Sequence, residues 1–133
     1  MEKDIRWKQR FQNFEKAFLF FEKAVEKTEY TPIEVGGLVQ SFEFTFELGW
    51  KTIKDYLYLQ GIETTTPREA TKEGFNTRII ENGHAWMNMI EKRNELSHTY
   101  KAEVAKHAVQ IIKSEYYPAI TQVYRYFKSK IDG

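Results

Sequence analysis

The stretch "WKQRFQNFEKAFLFFEKAV", Trp7 to Val25, decides the fold class. Trp7, Phe11, Phe14, Phe18, Phe21 and Val25 recur at steps of three and four, which places them on one face of an α-helix. Charges fill the other positions, with Glu15, Glu22 and Glu26 beside Lys16, Lys23 and Lys27. The spacing predicts a helix from about Lys3 to Lys27 that must bury a wide aromatic stripe against other elements.

The same period continues along the chain. "TEYTP" (Thr28 to Pro32) interrupts it, with Thr31 as a cap and Pro32 at the first turn of a second helix reaching roughly Gln60. Leu38 or Val39, Phe42, Phe46, Trp50 (or Gly49), Ile53 and Leu57 carry its stripe. Phe44 and Leu48 widen the stripe and predict cover on more than one side. Gly36 and Gly37 weaken its first turns by about 1 kcal/mol each and offer close approach to a neighbouring helix. Gly61 ends it.

"TTTPREA" (Thr64 to Ala70) restarts a short helix to about Ile79, capped by Thr66 with Pro67 first and Glu69 in the first turn. After the turn "ENG" (Glu81 to Gly83) comes a helix over Ala85 to Ser97, with Trp86, Met89, Ile90, Arg93 and Leu96 along one side. Ala102 to Tyr117 is helical, Pro118 kinks or breaks it, and Ile120, Val123, Tyr124, Phe127 and Ile131 resume the pattern. No segment alternates as a half-buried strand does. The expectation is all-α: one domain over residues 1–133, an up-and-down antiparallel bundle of four main helices plus a short extra one.

Composition narrows the function. With 133 residues, 41% hydrophobic and 16% aromatic, the chain has enough apolar surface to order itself, and surplus aromatics are candidates for a subunit interface. Twenty Lys and Arg stand against 19 Asp and Glu, so no global basic field draws in nucleic acid and any RNA contact rests on a local patch. The absence of cysteine excludes disulfide and thiolate chemistry. "AFLFF" (Ala17 to Phe21) is far too short to span a membrane and has no signal-peptide architecture before it, so the expected setting is cytoplasmic.

The chemistry-bearing stretch is "RNELSHTY", Arg93 to Tyr100. Arg93 and His98 lie five positions apart, which leaves them about 140° apart around a continuous helix. A break near Ser97, the reach of Arg93, or a second subunit sharing one cleft must bring them together. Such a pair suits metal-independent cleavage of an RNA phosphodiester. Histidine moves protons near neutrality, and arginine holds phosphate with a planar fork. The competing assignment makes His98 a helix-end cap and pairs Arg93 with Glu43 or Glu47. Glu43, Glu47 and Lys51 form an i, i+4, i+8 ladder, which is either a surface ion-pair row or a polar network supporting the site. Tyr100, by itself, is a surface tyrosine with its hydroxyl in water. His84, His98 and His107 are too scattered for a metal site, and no cofactor motif occurs.

Three blocks in order carry a resemblance: "SFEFTFELGWKTIKDYL" (Ser41 to Leu57), "TPREATKEGF" (Thr66 to Phe75) and "WMNMIEKRNELSHTY" (Trp86 to Tyr100). With the Arg-x4-His-x-Tyr arrangement, the chain resembles the HEPN superfamily over roughly Phe11 to Phe127. Within that superfamily it resembles the HepT-type toxins and the subgroup labelled nucleotidyltransferase substrate-binding proteins. That resemblance implies a homodimer whose Arg and His residues line a shared cleft, and a partner of the MntA type, a minimal nucleotidyltransferase antitoxin. It implies a toxin ribonuclease of a type II toxin-antitoxin pair, with Arg93 on the scissile phosphate, His98 in acid-base work and Asn94 positioning phosphate or histidine. Tyr100 is then the hydroxyl that receives AMP, whose charge and bulk repel and block RNA. A shared cleft also implies that the helix of Trp86, Met89 and Arg93 lies near the two-fold axis. The alternative implied by the subgroup label is a non-catalytic subunit presenting a nucleotide or other substrate to the nucleotidyltransferase. A third reading is a helical scaffold with no site.

Overall fold

The aromatic period of the first segment produces helix α1, Glu2–Val25, in the computed structural model, which describes residues 2–133. Its buried residues are Trp7, Phe11, Phe14, Phe18, Phe21 and Val25, the six that the periodicity selects. Helix α2, Pro32–Leu59, opens on a reciprocal cap. The Thr31 hydroxyl accepts from the Glu34 amide, and the Glu34 carboxylate accepts from the Thr31 amide at 2.9 Å. Gly61, at φ +88°, takes the left-handed turn that ends α2.

The two long helices run antiparallel. Trp7 meets Tyr56 edge-on at 4.9 Å at one end, and Phe21 meets Phe42 towards the other. Gly49 makes this possible: a Cβ there would stand 3.2 Å from both Phe14 and Trp86. The close approach expected at Gly36 and Gly37 therefore falls at Gly49. At Gly36 a Cβ would meet only Thr99 at 3.9 Å, and at Gly37 nothing within 4 Å. Phe44 also departs from expectation, being 59% exposed because it lies outside the sector covered by α1 and the core.

Short helix α3, Pro67–Asn76, is capped by Thr66, and Arg78 at φ 66° reverses the chain after it. Helix α4, Gly83–Leu96, starts on the Asn82 side chain, which accepts from the Ala85 amide. Trp86 and Met89 point into the protein's own core and have no exposed surface.

The last segment is one long helical run. Helix α5, Ala102–Ile111, passes through a π-helical turn at Ile112–Tyr116 into α6, Tyr117–Asp132. The α-helical pattern is thus interrupted just before Pro118, by a π turn rather than by a loop. In the widened turn the Tyr117 amide donates to the Ile112 carbonyl, five residues back, and the run continues past the proline. The turn aims Tyr116 into the core, stacked on Phe42 at 5.0 Å and hydrogen-bonded to Asn88. Helix α6 closes the bundle along α1, with Tyr124 stacked on Phe18 at 4.3 Å and Trp7 against Phe127. The fold is an all-α bundle of four main helical segments and one short one around a shared core. No helix among the described residues is long and apolar enough to cross a membrane.

Candidate functional site

The site is built where α4 ends. Ser97 is the C-cap, and its hydroxyl donates to the Asn94 carbonyl at 2.7 Å, so it is occupied by the helix end rather than by His98. The chain from Ser97 to Lys101 then turns tightly, the His98 amide donating to Glu95 and the Lys101 amide to His98. The helix break expected near Ser97 is present.

Arg93 lies one turn before the break. Its guanidinium stands 3.6 Å from the Glu47 carboxylate and over the Phe46 ring at 5.5 Å. Glu47 in turn lies 3.3 Å from Lys51, so the ladder on α2 is an ion row tied to Arg93. Glu43 lies at the same cleft. Burial pushes its carboxyl above the usual range, and the positive charge of Arg93 partly opposes the shift. Glu43, Phe44, Glu47, Arg93, Asn94 and Ser97 line a cleft of about 380 Å³.

His98 and Tyr100 form a second pair beyond the break. The Tyr100 hydroxyl is 3.2 Å from His98 Nδ1, and the rings meet edge to face at 5.6 Å. Tyr100 is 78% exposed, held by its hydroxyl rather than by packing. Among the described residues no hydrogen bond joins Arg93 to His98, and His98 does not line the cleft that holds Arg93 and Asn94. One chain therefore presents two half-sites: a cation with carboxylates and an amide, and an imidazole with a phenol.

Three features were not foreseen from the sequence. Phe44 is a cleft wall, Glu43 is a half-buried carboxyl, and His98 engages Tyr100 through Nδ1. The last had a weak signal in the i, i+2 spacing within a turn; the first two depend on which neighbours cover α2. No group of three or more His, Asp or Glu side chains that could hold a metal gathers among the described residues.

The class is a small helical bundle with a cleft that holds one arginine among carboxylates and an exposed tyrosine at a helix break. Residues 9–129 match the family described as nucleotidyltransferase substrate binding protein like, and the chain belongs to that family. No curated protein matches the chain. Among solved structures it is similar to a protein from Thermus thermophilus, at 24% identity and a TM-score of 0.76, covering 83% of this chain and 94% of that one. At that identity the likeness concerns the fold.

Proposed function

We propose that this chain is a HEPN-type ribonuclease toxin that a partner nucleotidyltransferase silences by transferring AMP to Tyr100. The observation that carries the reading is the exposed Tyr100 hydroxyl, 3.2 Å from His98 Nδ1. An acceptor must be reachable by a second enzyme, and a base beside it takes up the phenolic proton. In the transfer the Tyr100 oxygen attacks the α-phosphorus of ATP, the bond to the β-phosphate breaks, and pyrophosphate leaves with that electron pair.

The same contact couples modification to RNA cleavage. With Nδ1 engaged by the phenol, His98 Nε2 faces substrate. It is a base when the proton sits on Nδ1, which then donates to the phenol oxygen, and an acid once both ring nitrogens are protonated. In cleavage one imidazole takes the proton of the ribose 2′-hydroxyl as its oxygen attacks phosphorus, and an acid protonates the departing 5′-oxygen. Arg93 holds the phosphate, and Asn94 lines the same cleft. AMP on Tyr100 removes the phenol's donor proton and adds negative charge where RNA phosphate must lie. Arg93 and His98 occupy separate half-sites in one chain, so a homodimer is the natural way to join them, with exposed Phe44 at the cleft as apolar surface for the second copy.

The test is RNA cleavage by the purified, unmodified protein in a chelator, beside His98→Ala, with Tyr100 checked by intact mass. Cleavage that disappears in His98→Ala, with fold and dimer intact, supports the ribonuclease. One observation favours the second reading, a non-catalytic subunit that binds a nucleotide for the nucleotidyltransferase: Arg93 is already paired with Glu47 and stands apart from His98. A folded, unmodified dimer that leaves every RNA whole would select it.

A further inference from the structure

Tyr100 borders a second space that neither reading uses. It forms one wall of a groove of about 810 Å³ between the α1–α2 turn and α5, with Thr28, Tyr30, Val35, Ala105, Lys106 and Gln110 among its lining. That volume falls within the roughly 300–1,000 Å³ typical of small-molecule sites. The composition is that of a nucleoside site. Tyr30 supplies an aromatic wall, fixed by its hydroxyl donating to the Ala24 carbonyl at 2.6 Å, with the Lys113 ammonium 5.3 Å from its ring centre. Val35 and Ala105 are apolar; Thr28 and Gln110 offer hydrogen bonds to a base or ribose. Lys106 lines the groove that Tyr100 borders, and Lys101 sits 6.0 Å from the Tyr100 ring centre. Glu34, the acid in the first turn of α2, is already held by Lys27 at 2.8 Å.

We propose that this groove receives the nucleoside of the AMP joined to Tyr100, with Lys106 and Lys101 on its phosphodiester, so that the modification is docked on the bundle rather than left in solvent. The inference rests on Tyr100 being the acceptor. Docking shields the bond from hydrolysis and fixes the turn between α4 and α5. The groove recognises the nucleotide by shape and charge, and the phosphate held beside Tyr100 denies the His98 half-site to RNA.

The probe is AMP itself, titrated into the unmodified protein and followed by saturation-transfer NMR. Binding is expected in the wild type. It is expected to weaken about tenfold in Lys106→Glu, which reverses a phosphate contact, and in Ala105→Trp, which fills the groove. Circular dichroism checks that both variants fold, and either one alone suffices. AMP binding that is absent, or indifferent to both variants, overturns the proposal whatever happens at Tyr100. A second arm uses protein incubated with ATP and its nucleotidyltransferase, read by intact mass. AMP on Tyr100 that a phosphodiesterase removes as fast from wild type as from Ala105→Trp overturns docking and leaves the acceptor reading standing. AMP bound in the groove with Tyr100 never modified removes the acceptor reading, and the tethered form falls with it.

Discussion

The α1–α2–α6 face and the α4–α5 junction are opposite solutions to using aromatic residues. On the first, Trp7, Phe11, Phe14, Phe18, Phe21, Phe42 and Phe127 are buried and packed ring against ring. On the second, Tyr100 is exposed and meets His98 through its hydroxyl and an edge-to-face ring contact. The first region stores stability, and its titratable groups, Asp55 with Arg10 and Tyr124 with Glu15, are paired within it. The second carries the candidate site with little packing at stake, so its residues are exposed for contact with other molecules. Mutations should therefore divide cleanly: core changes alter stability, and junction changes alter activity.

The largest expected effect is Trp86→Ala. It empties the space beneath α4 and should cost about 3–5 kcal/mol in denaturant unfolding. Trp86→Phe should cost clearly less, because the buried indole N–H has no hydrogen-bond partner to lose. Next comes Gly49→Val, which drives a branched side chain into Phe14 and Trp86 and should cost about 1–3 kcal/mol. A Gly49→Val protein as stable as wild type would break the view that α1, α2 and α4 meet through this residue.

A smaller effect sharpens the boundary between the regions. Burial raises the Glu43 carboxyl above its ordinary value of 4.5. Over the interval from 4.5 up to the raised value the native state keeps a proton that the unfolded chain has released, so stability falls as pH rises through it. Glu43→Gln should match wild type in melting temperature at about pH 4 and exceed it at about pH 7. Parallel melting curves at both pH values would show that Glu43 is solvated and that water fills the cleft beside Arg93.

The smallest effect on stability is expected at Tyr100. Tyr100→Phe should leave unfolding within about 0.5 kcal/mol of wild type while abolishing AMP acceptance and, through the lost contact with His98 Nδ1, lowering RNA cleavage. A large loss of stability in that variant would make Tyr100 a structural residue and erase the contrast with the core.

How far the sequence reached depends on whether a feature is local. The six residues of the α1 stripe, the caps at Thr31 and Thr66 and the stop at Gly61 follow from period and capping chemistry, and each is present. Pro118 marked the place of the interruption but not its form, a widened turn that sets Tyr116 against Phe42. Gly36 and Gly37 misled: a glycine permits close approach, but only the neighbour's path determines which glycine is approached.

The same division runs through the candidate site. The sequence by itself determined an all-α chain and put Arg, His and Tyr around a helix break, because capping and periodicity act within a few residues. The tertiary structure decided that Arg93 turns to Glu47 and the cleft of α2, that His98 turns to Tyr100, and that a nucleotide-sized groove opens behind that tyrosine. Those outcomes depend on side chains as far apart in sequence as Tyr30, Glu47 and Lys106, and only the packing of the bundle brings such residues to one surface.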